Sequence, residues 1–509
     1  MRILTATLAL AFLLLRAAAG AVDSVHGGLE LPAREFNSHL SLRVYLVSET
    51  GKLIGLHLGS TPADQPIKIP AGRIWYVAPG FTLDTRALVA EVINQKIPGV
   101  ELPYGATDDD LLLVSTAKHL RLISANEPHI TDAGLARLSD LKHLQTLWLG
   151  ESRVTDRGLE RLEAVPSLQQ LSLFNTSITD AALAHLAKLP ELRTLEVQFT
   201  RVGDAGLAHL RGQTSLRRLG LWHTNTTDAG LAHLEGLRDI QELDLSETKI
   251  TGAGLAHLTP LRELRKLHLY STQINDAGLA HLQGLSKLQE LGLNVTPVTD
   301  TGLPYLKNLR ALETLDLRKT GVTDTGMINL AGLRALENLS LDDTHVTDAG
   351  LGRLESLDLL RSLSLGGLNV SGAGLAHLEK LNRLETLDLT STQVTNAGLT
   401  HLRALTAMRV LELGSTPVTG SGLASLSDLK RLEAIDLSYT KVGDDGLEFL
   451  TGLVALKSLQ LDGTPVSDAG IKPLKQLKSL KTLDLRSAGV TEAGAQSLRD
   501  ALPECIVLR

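Results

Sequence analysis

The chain has 509 residues, of which 43% are hydrophobic and 21% charged, too many for one compact core, so several domains or a repeat array are expected. A formal net charge of −7 offers no basic face to phosphates, and nucleic acid is excluded from the expected partners. Aromatic residues make up only 3%, so the core must be filled by something more uniform, and here that is leucine.

Residues 1–21 read as a signal peptide, with Arg2 as the positive start, Ile3 to Leu15 as the apolar run, and small residues from Ala17 to Ala21 for cleavage. The run is shorter than the roughly 20 apolar residues a membrane span needs. No transmembrane span is therefore expected after signal removal, and the protein is expected to be secreted, periplasmic or associated with the cell envelope. Residues 22–83 read as a small β-rich module, with strands at Arg43 to Val47, Leu53 to Leu58 and Arg73 to Val77. Residues 84–118 read as an N-terminal capping helix, Thr85 to Gln95, followed by a degenerate first repeat built on Ile97 to Leu102 and Ala106 to Leu111.

Residues 119–491 carry the dominant signal. A threonine recurs at 176, 200, 224, 248, 272, 296, 320 and 344, then at 392, 416, 440 and 464, always in a 24-residue register. Pro128, Ser152, Leu368 and Ala488 fill the same register and give 16 units without an insertion. Within a unit, Leu171-Ser-Leu173 alternates as a short strand does, whereas Leu183 and Leu186 stand three apart, as on a helix. Such a unit is too small to bury its own apolar side, so stacked neighbours must seal it. Each strand crosses over through a helix, which makes the strands parallel and the coil right-handed. The expected fold class is α/β: a right-handed solenoid with a parallel concave sheet and convex helices, preceded by the small β-rich module.

The polar ladders are read as scaffold. The threonine hydroxyl is expected to hold backbone groups at the turn. Asp132, Asp156, Asp180, Asp204, Asp228, Asp276, Asp300, Asp324 and Asp348 fall where a helix N-cap belongs. A glycine two residues further on, from Gly134 to Gly494 with Ala182 as the exception, is expected to let helix and strand approach. Residues 492–509 read as a C-terminal cap, a helix over 492–501 leading to a last strand at Cys505 to Leu508. Cys505 is the sole cysteine; it forbids an intramolecular disulfide and is read as a buried core residue.

Units of the form LxxLxLxxTxVTDAGLAHLxxL resemble leucine-rich repeats of the I/V-T-D-x-G-L subclass. They are similar to the repeats of F-box leucine-rich-repeat receptors, in which a cysteine often occupies the threonine position. Thr-bearing arrays of 24 residues that end in a motif like Ala501-Leu-Pro-Glu-Cys505 look like bacterial, planctomycete-type proteins. The resemblance implies a horseshoe whose concave face binds a protein or glycan, without catalysis. It also implies an alternative, the substrate-recognition subunit of a ubiquitin ligase. Leu31 to Phe36 superficially resembles an F-box start, but the sequence that follows reads as strands.

Strand positions flanking the inner leucines are expected to face the concave side. The large aromatics there are Trp148, Phe174, Phe199, Trp222 and Tyr270, and they are the candidate partner-binding residues, because rigid rings bury much area at little entropic cost. Further along, the face turns acidic through Asp244, Asp316, Asp342, Asp388, Glu412, Asp436, Asp462 and Asp484, which is read as a solvated face. His185, His209, His233, His257, His281, His377 and His401 form a convex ladder that is read as copied scaffold. No phosphate-cradling loop, zinc spacing or nucleophile elbow is present, so no catalytic residue, cofactor or metal site is expected.

Overall fold

The computed structural model describes residues 31–47, 56–80 and 83–509; the signal peptide read at 1–21 and the first part of the expected Leu53 to Leu58 strand lie outside them. One continuous sheet of 21 strands runs the length of the molecule. From Gly99–Glu101 to Ile506–Leu508 every neighbouring pair is parallel, and inside the array the register steps by one repeat, as in Leu195 against Leu219. Each repeat contributes a three-residue strand and, on the far side, a short helix or a tighter three-residue-per-turn coil. The inner leucines, among them Leu171, Leu173, Leu183 and Leu186, are buried in one core that continues from Phe36 to Val507.

The β-rich segment is joined to this sheet. Leu42–Leu46 lies antiparallel between Leu56–Thr61 and Trp75–Pro79. Trp75–Pro79 then pairs in parallel with the first solenoid strand through Val77 and Val100. Its inward residues Phe36, Leu42, Val44, Trp75 and Val77 belong to the array's own core. The opening coil therefore has its apolar end covered by a sheet extension, as well as by the helix Thr85–Asn94. The separate pair Arg34–Phe36 and Ile67–Ile69 places strand where the sequence superficially resembled an F-box start. At the far end the helix Glu492–Ala501 and the strand Ile506–Leu508 close the stack. Cys505 is buried there, and burial raises its thiol pKa.

The threonine ladder does what its register implied. Thr176 Oγ1 donates to Leu173 O at 2.7 Å, and the same bond recurs at Thr200, Thr224, Thr344 and Thr440. The aspartate ladder differs from its expected role. The helix N-cap is the preceding threonine, as where Thr179 accepts from Ala181 N–H. The aspartate is the first helical residue, and it reaches into the next coil: Asp156 accepts Thr179 N–H at 2.7 Å and the Thr179 hydroxyl at 2.6 Å. The pair of bonds repeats from Asp108 to Asp468. The glycine ladder makes room for this carboxylate, not for a strand. A Cβ on Gly230 would stand 2.3 Å from Asp204 Oδ1, and one on Gly374 would stand 2.4 Å from Asp348 Oδ1.

Candidate binding face

The five aromatics are not equivalent in the structure. Trp148 ends the strand Thr146–Trp148 and is only 2% exposed. The N-terminal extension covers it: its ring meets Tyr76 edge-on at 5.7 Å, in a cluster with Val47, Ala78 and Leu122. The expectation that Trp148 belongs to an open face is corrected by that packing. The sequence reading missed it because the covering strand comes from 70 residues upstream, where no repeat register points.

Phe174, Trp222 and Tyr270 each follow an inner leucine directly and are half-buried. Phe199 lies one position further on, and so is not a strand residue; it adopts φ 57°. That left-handed turn recurs at the same register from Glu151 to Ser487. It lets the residue's N–H bond the next coil, as Asn175 N–H does to Gln198 O at 2.9 Å. Held this way, Phe199 bridges its neighbours, with ring centroids 5.4 Å from Phe174, 4.7 Å from Trp222 and 4.9 Å from His223. Tyr270 stands apart, two coils beyond Trp222.

Between Trp222 and Tyr270 the sheet opens into a hollow of about 350 Å³. Its floor follows the last strand positions Gly220, Asp244, His268 and Gly292, which pair in that order. The glycines at its two ends make room for neighbouring side chains: the Gln198 amide lies over Gly220, and the His268 ring stands beside Gly292. One wall is a ladder of paired charges: Arg218 contacts Glu242 at 3.0 Å and Glu196 at 3.4 Å, and Lys266 contacts Glu290 at 2.7 Å. Burial raises the pKa of Glu196, with Arg218 opposing and Glu242 adding to it. The side-chain oxygen of Gln198 and the indole N–H of Trp222 are buried at the rim without a hydrogen-bond partner.

The acidic residues sort into two groups. Asp316 and Asp484 are clamped by Arg318 and Arg486. Asp388, Glu412 and Asp436 form a column across neighbouring coils, with Asp342, whose charge acts on Arg318, two coils before Asp388. The Ser364 hydroxyl is shared between Asp342 at 2.5 Å and Asp388 at 3.2 Å. Burial raises the pKa values of Asp342 and Asp436. Glu412 is pushed up to about 8, first by burial and then by Asp388, Asp436 and Asp342. Glu412 therefore holds its proton near neutrality, which the reading of an ordinary solvated face missed. Its signal was present in the sequence: Asp388, Glu412 and Asp436 follow one another at the same register, so their side chains must crowd.

On the convex side the histidines do not face one another. His185, His257, His377 and His401 each bond a glutamate of the preceding coil, Glu163, Glu235, Glu355 and Glu379 respectively. His233 accepts from Arg211 instead, and its pKa is lowered by burial and then by that guanidinium. Among the described residues no three His, Cys, Asp or Glu side chains converge as a metal site, and no helix is long and apolar enough to cross a membrane.

Stacked strand-and-helix coils, inward leucines and one long concave sheet define a leucine-rich-repeat solenoid. Comparison with known proteins agrees at that level. The family described as "FBD-associated F-box protein At5g56370, LRR repeats" matches residues 110–235, and the family "Leucine Rich repeat" matches residues 308–331 and 431–450. Among solved structures, an internalin from Listeria monocytogenes is similar at 23% identity and a TM-score of 0.52, over 64% of this chain and 88% of that one. A leucine-rich-repeat protein of Leptospira interrogans is similar at 20% identity and a TM-score of 0.51, over 68% and 91%. At these identities the likeness concerns the fold. No curated protein sequence matches the chain.

Proposed function

We propose that the protein is an exported, non-catalytic scaffold that binds another macromolecule, a protein or a glycan, through its concave face. The observation that carries this reading is the hollow between Trp222 and Tyr270, where half-buried rings flank Asp244, Ser246 and His268. A second hollow of about 410 Å³, lined by Glu385, Arg409, Lys430 and Glu433 among others, carries no aromatic ring. Placing rings and a few fixed polar groups around a hollow is how proteins gain both contact area and orientation. A role as substrate receptor of a ubiquitin ligase has less support, because the F-box-protein match covers repeats alone and Arg34–Phe36 is a strand.

Immobilised full chain tests the binding reading against envelope extract of the cells that make it. Partners retained by the unaltered protein and by His257→Ala on the convex side should be lost with Trp222→Ala/Tyr270→Ala. Identical capture by all three would overturn the reading. Export is tested separately by sequencing the amino terminus of the protein recovered from cells: it should begin after Ala19 or Ala21, and an intact Met1 would contradict it.

A further inference from the structure

The hollow also carries information about what enters it. Most of its charged lining is already spent internally, Arg218 on Glu242 and Glu196, and Lys266 on Glu290. Asp244 is the exception. One carboxylate oxygen accepts Ser246 N–H at 3.0 Å, which bends the group towards the gap between the rings, and no basic residue among those described is paired with it. On one flank stands Gly220, over which the Gln198 amide lies.

Trp222 and Tyr270 each stand two residues past a strand, Arg218–Gly220 and Lys266–His268, and these strands are two apart in the sheet, so their backbones are separated by about 10 Å. A ring-to-cation contact on each side takes about 3.5–4 Å, or about 7–8 Å for two, so one cationic group fits between the rings. An aromatic face attracts a cation through its quadrupole, and a carboxylate beneath adds a charge-assisted hydrogen bond. A neutral sugar would donate hydroxyl hydrogens to this carboxylate but leave its charge unneutralised. We infer that this hollow is a binding site for a basic side chain, arginine first, projecting from a protein partner, with Asp244 as its counter-ion and Trp222 and Tyr270 as its walls. Arginine is favoured over lysine because its planar guanidinium stacks on rings and pairs with carboxylate in two directions. The inference rests on the concave face being the binding surface, and it narrows the partner to a protein bearing an exposed arginine.

The built-in reporter is Trp222, since Trp75 and Trp148 are each 2% exposed. The probes are the capped tripeptide Gly-Arg-Gly, its citrulline analogue of the same shape without charge, and chitotetraose as the neutral glycan. In the full chain, tryptophan emission should respond to the arginine peptide at millimolar concentration and not to citrulline. Asp244→Asn keeps the acceptor for Ser246 N–H and should weaken the response about tenfold, the scale of one charge-assisted contact. Tyr270→Ala, a second variant that leaves the reporter in place, should weaken it as well, with unchanged circular dichroism in both. Equal responses to arginine and citrulline, an unaltered affinity in Asp244→Asn, or a response to chitotetraose alone would each overturn the proposal. If these fail while the paired alanine variant still loses captured partners, the binding face stands and only the cation site falls.

Discussion

The two halves of the concave sheet are made by the same coil and do different things with it. From Phe174 to Tyr270 the face presents rings and salt-bridged charges around a hollow. From Asp388 to Asp436 it presents carboxylates one strand apart, about 4.8 Å, and burial together with this crowding keeps the Glu412 proton on to about pH 8. The leucine core, the threonine bonds and the Asp-to-next-coil bonds continue through both. The difference teaches that in this solenoid the repeat fixes where a side chain points, whereas three or four unconstrained positions per coil decide the chemistry.

The largest expected effect separates a ring used for packing from one used for binding. Trp148→Ala should cost about 4 kcal/mol, as for a fully buried aromatic truncated to alanine, while Trp222→Ala, half-exposed, should cost much less; urea unfolding of the two variants measures the contrast. Next comes the scaffold, which should respond alike in either half. Gly230→Val and Gly374→Val each drive a side chain into the preceding coil's carboxylate, at 2.3 and 2.4 Å, and each should lose about 3 kcal/mol. A large loss in one half with none in the other would mean that the coils are not equivalent.

The third effect belongs to the acidic half alone. Glu412 has a folded pKa raised above its unfolded value, so the folded state binds more protons between the two. Stability should therefore fall as pH rises from about 4.5 to about 8, the reverse of a salt-bridged carboxylate. Glu412→Gln should flatten that slope and add on the order of 2 kcal/mol at pH 7, after allowance for partial exposure to water. Thermal melts of both proteins at pH 5, 7 and 9 show it. The smallest effect sharpens the turn that precedes each threonine. Val295 is β-branched and holds φ 57°, a conformation that Asn tolerates better. Val295→Asn should gain about 1 kcal/mol, read from the denaturation midpoint.

The solenoid was legible because burial repeats: Leu171, Leu195 and Leu219 occupy one register, and only a stack of coils buries them all. Contacts between coils were harder to read. Asp156 and Thr179 are 23 residues apart, and their bond emerges only once one repeat is laid beside the next. The sequence carried no consistent trace of it: Asn275 and Gly443 replace threonine after Gly252 and Gly420, but Thr395 follows Gly372 and Gly203 follows Asp180. At Gly252 and Gly420 the coils close glycine on glycine, and a Cβ on Gly278 or Gly446 would stand 2.5 Å from the preceding glycine's Cα. The burial of Trp148 was not legible, because Tyr76 reaches it from outside the periodic part of the chain. Within the hollow, the rings at Trp222 and Tyr270 were found from their register. Asp244 was seen only as one of a row, and its bend towards the gap depends on a backbone hydrogen bond that sequence does not display.

Site-specific photocrosslinking tests the surface assignment most directly. A photoreactive residue placed at Ser246, between the two rings, should join the protein to its partner in cells, while the same group at Ala256 on the convex side should not. Adducts formed from Ala256 and absent from Ser246 would put the working surface on the opposite side of the horseshoe and contradict the account.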